Sequence, residues 1–327
     1  MDESDKLISV VIPARNEEKT ISECIESIIA ALDNSFEYEI ILVDSDSTDH
    51  TIEYAMKYPI RIIKLRKEWE LSPSAGRFIG TVFSRGQYIF FVDADMIIEK
   101  NWIIEALKQF EKSTSIAGVG GIIYNITNMN DKTNPRRLNR KIGNVKYIAG
   151  PAIYKKSILQ EVGNVNPFLR GCVERELGYR IGKKGYNQIR LNERICYHVQ
   201  KAQSMNEIKE KTSYYRGIGQ FIRLHFTIQN IFEMLWTYKR NLINGIIIAA
   251  YALSILLSFF FNKLYTLLIV LGTILFLIVL STKKKHVIKK IWFLVCISFL
   301  SQFNFFIGFF RQKRKPDEYP TNVEIIK

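Results

Sequence analysis

Two aspartates separated by one alanine follow an apolar segment in the sequence GQYIFFVDADM, residues 86–96. The apolar run at 88–92 predicts a buried strand, so Asp93 and Asp95 stand at its carboxyl end. Residues two apart on an extended strand point to the same side. Open α/β sheets bind their ligands at this edge. The pair therefore predicts a site for a hard divalent cation, which takes oxygen ligands and shares them with a phosphate.

The elements that must position these aspartates alternate along the first half of the chain. Apolar runs predict strands at 7–14, 39–44, 60–65 and 88–92, and helices at 17–31, from about 47–49 and through 77–83. Continuous apolar strands alternating with helices are typical of a largely parallel sheet covered on both faces. Residues 118–144 are less regular, and the polar, proline-interrupted stretch NMNDKTNPRRLNR at 128–140 predicts a mobile loop. A further helix is predicted after Cys172, because Val173, Leu177 and Ile181 recur at helical spacing, and the stretch from Gly182 to Gly185 is expected to end it.

The first strand-to-helix turn reads VVIPARNEEKT, residues 10–20, and contains no glycine. A dinucleotide-binding turn needs the pattern G-x-G-x-x-G, so that the backbone can approach a pyrophosphate. The missing glycines argue against a dehydrogenase.

This turn is instead similar to the opening of family 2 glycosyltransferases, which read V-I-P-x-x-N-E. Three further blocks resemble the family in its order and spacing. EIILVDSDSTDHT (39–51) resembles the nucleotide block, SPSAGRFIGTVFSRGQYIFFVDADM (72–96) the block with the D-x-D motif, and GCVERELGYRIGKKGY (171–186) the acceptor-side block. The resemblance covers roughly the first 200 residues, and its strength lies in the four blocks occurring together.

The resemblance implies a GT-A fold, of α/β class with a mixed, mainly parallel sheet, and a nucleotide-diphosphate sugar as donor. It implies that the donor nucleotide is bound by Pro13, Ala14, Arg15, Glu17, Asp44, Asp46, Arg77 and Asp93. The chain departs from the pattern where Ser45 replaces an aspartate and Asp46 a glycine. These departures leave the base open, with UDP as the default. A turn or helix-cap role is the alternative for Asp44 and Asp46.

The same resemblance implies a divalent cation, Mn²⁺ or Mg²⁺, held by Asp95 with Asp93. His198 follows a strand-like run, where several GT-A enzymes place a further ligand. A structural histidine is the alternative. In the acceptor-side block, Glu174 matches the catalytic acid position and is expected to act as general base, whereas Glu176 is expected to orient. A direct single displacement by the acceptor would invert the anomeric centre.

Charge and hydropathy divide the chain. The net charge of the chain is +14. Residues 1–120 carry 13 Lys+Arg and 21 Asp+Glu, whereas residues 121–327 carry 33 Lys+Arg and 11 Asp+Glu. The basic excess lies beside apolar runs at 242–261, 264–280 and 291–310, as expected for clusters that face anionic lipid headgroups. We therefore expect no nucleic-acid partner, because no nucleic-acid module accompanies this charge. Four scattered cysteines favour a reducing compartment.

The apolar runs predict a domain organisation. We expect a catalytic domain at 1–217, an interfacial or linker helix at 218–240, a membrane domain of two or three helices at 241–315 and a polar tail at 316–327. The basic residues flanking the runs predict a multi-pass protein of the cell membrane with its catalytic domain in the cytoplasm. The third run is diluted by polar residues, so a re-entrant or interfacial position stays open for it.

These features together predict a membrane-anchored, inverting glycosyltransferase. It would move a sugar to a lipid-linked acceptor, either a polyprenyl phosphate or a lipid-linked glycan. A processive polysaccharide synthase is one alternative, suggested by QFIR at 220–223, but Leu224 stands where that motif has tryptophan. A catalytically silent nucleotide-sugar-binding scaffold is another. A transporter subunit is disfavoured because the N-terminal half reads as a globular domain.

Overall fold

The computed structural model describes residues 7–32, 35–127, 133, 135–199, 205–225, 227 and 300–327. The chain forms two compact units. The first comprises residues 1–202 together with 314–327, and the second comprises residues 203–313. The C-terminal residues, expected from the sequence to be a separate polar tail, thus lie in the same unit as the N-terminal domain.

The first unit is an α/β structure. Its strands are β1 (Ile8–Ala14), β2 (Tyr38–Asp44), β3 (Arg61–Lys64), β4 (Tyr88–Phe91), β5 (Met96–Ile98), β6 (Ile116–Ile126), β7 (Arg136–Arg137), β8 (Gly143–Val145), β9 (Ala152–Lys155), β10 (Asn187–Val199) and β11 (Glu324–Ile325). Its helices are α1 (Ile21–Leu32), α2 (Thr51–Ala55), α3 (Pro73–Phe83), α4 (Lys100–Lys112), α5 (Lys156–Glu161) and α6 (Val173–Lys183).

The strands form one mixed sheet in the order β11-β3-β2-β1-β4-β9-β6-β10-β5. Strands β3, β2, β1 and β4 run parallel, as the alternating elements predict. Beyond β4 the sheet changes character, because β9 is antiparallel to both β4 and β6. The carboxyl ends of β1, β2 and β4 share one edge, which is where the predicted site residues collect.

The continuous apolar runs reflect a sheet buried on both faces. On β2, Ile40 and Leu42 belong to the core beneath α1 and α4, whereas Ile41 and Val43 belong to the core that contains Ala75 and Ile79 of α3. Alternate residues of a strand point to opposite faces, so a strand covered on both sides must be apolar throughout. On β2, polar residues therefore lie near the strand ends, at Tyr38, Glu39 and Asp44.

Helix α3 lies unusually close to β1. A Cβ atom on Gly76 would stand 2.8 Å from Cβ of Pro13, and one on Gly80 would overlap the side chain of Val11. The helix begins with Ser72 as N-cap, whose hydroxyl accepts a hydrogen bond from the Ala75 amide at 3.1 Å. The two glycines allow this approach, which brings Arg77 of the same helix against the sheet edge.

The structure departs from the sequence-based expectation at two places. Part of the segment predicted as irregular, 118–144, is the long strand β6, whose glycines at 118, 120 and 121 had masked its strand character. Strand β4 also ends at Phe91, and residues 94–95 form a turn in which the Met96 amide donates to the Asp93 carbonyl at 3.1 Å. Asp93 and Asp95 therefore do not lie on one side of an extended strand, contrary to the expectation from the sequence.

The second unit contains α7 (Met205–His225) and a helix over residues 300–310, here called α8. The two helices cross at Gly219 and Gly308, where a Cβ atom on either glycine would overlap the backbone of the other helix. Arg216 donates to Asn304 Oδ1 at 3.0 Å. Within the described ranges no helix is long and apolar enough to cross a bilayer. The apolar runs 242–261 and 264–280, and most of the predicted helix at 218–240, lie outside the described residues.

Candidate active site

The turns that follow β1 and β2 are joined by hydrogen bonds. The amide of Asn16 donates to Ser47 Oγ at 2.9 Å, and the Asn16 side chain accepts from the Thr48 amide at 2.9 Å. The amide of Glu17 donates to Thr51 Oγ1 at 2.8 Å. Asn16 has a φ of 56°, a left-handed conformation that asparagine tolerates. The two turns, at residues 15–20 and 45–51, therefore form one continuous surface at the sheet edge, here called the ledge.

The residues predicted to bind the nucleotide lie along this ledge. Pro13 and Ala14 are buried at the end of β1, in register with Val43 and Asp44 of β2. Arg15 is exposed and Glu17 is half-buried. Backbone and side-chain groups of both turns thus border a common surface.

Asp44 is fully buried at the end of β2. It accepts a hydrogen bond from the Ser47 amide at 2.9 Å and a short one from the Ser47 hydroxyl. Burial raises the pKa of Asp44 above its ordinary value, although these two bonds act against the shift. Asp46, with a φ of 60°, pairs with Lys64 Nζ at 3.4 Å. The turn role considered for Asp44 is present in the structure, because its carboxylate holds the loop that carries Asp46.

Arg77 connects the two halves of the site. Its Nη2 lies 2.6 Å from Asp93 Oδ1 and its Nη1 lies 3.4 Å from Glu174 Oε1. The guanidinium is buried, which acts to lower the pKa of Arg77, but the two carboxylates outweigh burial and raise it. One planar cation thereby sets the separation between an acid from the D-x-D block and an acid from the acceptor-side block.

Asp95 has a different set of partners. Its Oδ2 lies 3.3 Å from Nε2 of His198, and His198 Nδ1 lies 3.2 Å from Asn125 Oδ1. His198 is placed opposite Met96 by the antiparallel pairing of β10 with β5. The turn between β4 and β5 therefore directs Asp93 towards Arg77 and Asp95 towards His198, in place of the shared face expected from the sequence.

The two glutamates at the start of α6 differ in environment. Glu174 keeps 29% of its side chain exposed, while the side chain of Glu176 is 3% exposed. Each carboxylate oxygen of Glu176 accepts a hydrogen bond from Arg180, Oε1 from Nε and Oε2 from Nη2, at 2.7 Å each. Cys172, the N-cap residue, has a φ of 61°, so the chain turns sharply into the helix. Only Glu174 therefore combines access with a position beside Arg77.

The fit of a divalent cation can be judged from the side chains present. No group of three or more histidine, cysteine or acidic side chains forms a preassembled metal centre among the residues with described positions. Asp95 Oδ1, however, is buried and accepts no hydrogen bond from any described residue. A buried carboxylate oxygen without a donor is costly unless a cation or water satisfies it. Together with His198, it offers part of a coordination sphere that a bound diphosphate would complete.

Some residues of the site were not singled out in the sequence. Asn16 and Ser47 link the two turns, and Asn125 contacts His198. Asn16 is the asparagine of the motif V-I-P-x-x-N-E, so its position was available as a signal. Asn125 lies on β6, in the segment that the sequence indicated to be less regular, and no local pattern marks it.

The family of the chain is shown by sequence comparison. Residues 9–172, just over half of the chain, match the model of the glycosyl transferase family 2. The chain belongs to this family, and its fold is GT-A-like.

Individual relatives match over shorter stretches. The poly(ribitol-phosphate) beta-glucosyltransferase of Bacillus spizizenii is 38% identical over 92 residues, which are 27% of this chain and 14% of that protein. The dolichol-phosphate mannosyltransferase of Pyrococcus furiosus is 37% identical over 110 residues, 31% of this chain and 30% of that protein. The chain therefore spans less than a third of the length of these two relatives.

A solved structure resembles the chain over more of its length. The mannosyltransferase PcManGT from Pyrobaculum calidifontis, in complex with GDP-Man and Mn²⁺, covers 91% of this chain and 86% of its own, with a TM-score of 0.57. At 16% sequence identity this likeness concerns the fold.

Proposed function

We propose that the protein is an inverting, metal-dependent glycosyltransferase that moves a sugar from a nucleotide-diphosphate sugar to a lipid-linked acceptor at the cytoplasmic face of a membrane. The observation that carries the proposal is Arg77, which contacts Asp93 at 2.6 Å and Glu174 at 3.4 Å. Direct displacement requires the donor and the acceptor base to be held at a set separation. A single buried guanidinium between the two carboxylates supplies such a constraint.

On the donor side, the joined turns after β1 and β2 would hold the nucleoside, with Asp44 and Asp46 near the base. Asp95 and His198 would hold a Mn²⁺ or Mg²⁺ ion, and Asp93 would face the ribose or the same ion. The fit rests on the buried, unsatisfied Oδ1 of Asp95 and on the 3.3 Å contact between Asp95 and His198. Such an ion stabilises the negative charge that develops on the departing diphosphate.

On the acceptor side, Glu174 would act as general base and remove the proton of an attacking hydroxyl, or of the monoanionic form of an attacking phosphate. A base needs an accessible carboxylate within hydrogen-bond reach of its proton, and Glu174 keeps 29% of its side chain exposed at the start of α6. Attack from the face opposite the diphosphate breaks the bond between sugar and phosphate while the new bond forms. The anomeric configuration is thereby inverted.

The lipid-linked acceptor is proposed on two grounds. Long apolar runs with basic flanks follow the catalytic unit in the sequence, and such clusters hold a protein at anionic headgroups. One relative is by its name a dolichol-phosphate mannosyltransferase. Of the alternatives for the acceptor, we favour a polyprenyl phosphate, and UDP remains the default nucleotide.

The experiment that tests the proposal measures donor binding first and transfer second. UDP-, GDP- and dTDP-sugars are titrated calorimetrically into the detergent-purified chain, with Mn²⁺, with Mg²⁺ and with EDTA. The donor that binds is then supplied in radiolabelled form with a polyprenyl phosphate, a lipid-linked glycan or a water-soluble poly(ribitol phosphate).

Metal-dependent binding of one donor and label in either lipid acceptor support the proposal. Label in the water-soluble polymer alone would contradict a lipid acceptor. Equal binding in Mn²⁺ and in EDTA would contradict the metal site. The configuration of the product, read by NMR, tests inversion separately.

A further inference from the structure

The C-terminal residues return to the catalytic unit and bury an aromatic side chain there. Tyr319 is 2% exposed. Its ring lies 5.7 Å from the ring of Trp69, 5.9 Å from that of Phe78 and 5.4 Å from that of Phe168, each in an edge-on arrangement. Its hydroxyl donates to the Glu70 carbonyl at 2.9 Å. One side chain thus packs against three separate segments of the catalytic unit.

A second residue of the same tail contacts two of these segments. The Arg314 guanidinium lies 3.9 Å from the centre of the Phe168 ring, and its Nη1 lies 3.1 Å from Glu70 Oε1. Beyond Tyr319, β11 pairs antiparallel with β3 at the edge of the sheet, with Glu324 opposite Lys64 and Ile325 opposite Ile63. The tail is therefore fastened on both sides of Tyr319.

The three segments are those that carry the two sides of the site. Trp69 and Glu70 precede α3, and Phe78 follows Arg77 directly on that helix. Phe168 lies four residues before Cys172, the N-cap of the helix that bears Glu174. The two loops are also joined to each other, since Ser72 Oγ donates to the Pro167 carbonyl at 3.1 Å and Ser74 Oγ to the Leu169 carbonyl at 2.9 Å.

We propose that the C-terminal tail is a positioning element of the active site, in which Tyr319 and Arg314 hold the Arg77 helix and the Glu174 helix at their working separation. The inference rests on the proposed function for its catalytic consequence. Tyr319 touches no reacting group. It acts by filling the space between the loop before α3 and the loop before α6. Shifts of about 1 Å between reacting groups can cost up to roughly a hundredfold in rate.

Two variants separate packing from hydrogen bonding. In Tyr319→Ala the three ring contacts are lost, and we expect kcat to fall about tenfold while the donor KM changes by less than about threefold. The donor KM is spared because the ring and hydrogen-bond partners of Tyr319 (Trp69, Glu70, Phe78 and Phe168) lie outside the turns after β1 and β2. In Tyr319→Phe the rings are kept and only the bond to the Glu70 carbonyl is lost, so kcat stays within about threefold of the parent.

A readout independent of transfer uses the buried thiols. Cys172 is 1% exposed, whereas Cys24 and Cys196 are 0% exposed and lie in the core beneath α1 and α4. We expect Tyr319→Ala to raise the alkylation rate of Cys172 about tenfold, measured by peptide mass spectrometry, while Cys24 and Cys196 stay protected. The matched control is Phe110→Ala, which empties a buried aromatic site on α4 in the core that contains both other cysteines.

The outcomes are distinguishable. Selective exposure of Cys172 with a lowered kcat supports the positioning role. Unchanged Cys172 reactivity in Tyr319→Ala overturns it, as does a parallel rise at all three cysteines, which would indicate general destabilisation. If the parent chain transfers no sugar, the proposed function fails, but the thiol measurement still decides whether the tail holds the helix of Glu174 in place.

Discussion

The donor side and the acceptor side of the site are held together in different ways. On the donor side, the turns after β1 and β2 are joined by hydrogen bonds between residues 31 to 34 positions apart, all within the first 51 residues. On the acceptor side, Glu174 contacts Arg77 across 97 positions, and Tyr319 contacts Glu70 across 249. The nucleoside part of the donor side is thus built by local βα units. The acceptor side depends on long-range packing, as does the donor-side contact between Asp95 and His198 across 103 positions.

The two sides should therefore differ in how strongly the loss of a single contact affects them. Loss of one donor-side contact leaves a ledge that the parallel strands still support, whereas the acceptor side depends on a few distant contacts. Arg77 belongs to both sides. Variants of individual residues can therefore either separate the two sides or show that they act as one.

The largest effect is expected for Asp95→Ala. Without this carboxylate the cation loses a ligand, so turnover should fall by at least about a thousandfold and donor binding should become independent of Mn²⁺. Kinetics and calorimetry with and without EDTA check both statements. Glu105→Ala is the control and should behave as the parent, because this acid on α4 is partly exposed and pairs only with Lys108 among the ion pairs of the described residues. Retention of metal-dependent donor binding in Asp95→Ala would exclude Asp95 as a ligand.

Glu174→Gln should separate the acceptor side from the donor side. The amide cannot accept the acceptor proton, so kcat should fall by about 10²–10⁴ while donor affinity is unchanged. The matched variant is Glu176→Gln, which weakens a buried pair with Arg180. It should lower the melting temperature, while the kcat of the folded enzyme stays close to that of the parent. A Glu174→Gln enzyme that loses donor binding as fully as Asp95→Ala would undo the division of roles.

Arg77→Lys should affect both sides. Lysine keeps the charge but cannot reach Asp93 and Glu174 with one planar fork. A charged hydrogen bond is worth about 1.5–3 kcal/mol, so kcat/KM should fall by roughly 10- to 100-fold, with changes in both kcat and donor KM. The double variant with Glu174→Gln should lose less than the product of the two single losses, because the residues are in contact. Full additivity would show that Arg77 and Glu174 act independently.

A smaller effect is expected for Asn125→Ala on β6. Its carbonyl oxygen lies 3.2 Å from Nδ1 of His198 and orients the imidazole towards Asp95. Loss of such an outer partner weakens metal binding by about 10-fold, the low end of the usual range. Titration of Mn²⁺ into the protein with bound donor measures the change, and Asn144→Ala on exposed β8 is the control. An unchanged Mn²⁺ affinity would remove His198 from the ligand set.

The smallest effect is expected on the donor-side ledge. Ser47→Ala removes the hydroxyl, which donates to Asp44 and accepts from the Asn16 amide, and should cost about 1 kcal/mol of unfolding free energy. The hydrogen bond from the backbone amide of residue 47 to Asp44 remains. Burial already raises the pKa of Asp44 in the folded protein. A raised carboxyl pKa means that stability falls as the pH rises from the unfolded value through the folded one.

Loss of the Ser47 hydroxyl favours the protonated carboxyl further, so Ser47→Ala should lose more stability at pH 7 than at pH 4. Denaturant unfolding at the two pH values tests this, with Ser113→Ala on the opposite side of the sheet as control. An equal loss at both pH values would mean that the hydroxyl does not interact with the charged form of Asp44.

The predictability of the structure follows the same division. Strands β1 to β4 could be predicted because continuous apolar runs, punctuated by polar turns, leave few alternatives to a buried parallel sheet. The boundaries of α6 were also predicted, from the spacing of Val173, Leu177 and Ile181 and the glycines that follow. Strand β6 could not be, because its glycines are needed for packing against Tyr154, Ile148 and Trp102, which are distant in sequence.

The sequence by itself determined the family, the α/β class and which acids and histidine could take part in the chemistry, because these depend on residue type and on spacing within single blocks. The tertiary structure decided which of them meet. It directed Asp93 to Arg77 and Asp95 to His198 through a turn that strand periodicity did not predict. It also returned Tyr319 to the loops before α3 and α6. Such contacts join residues tens to hundreds of positions apart, and they are selected by packing of the whole unit, which no local pattern records.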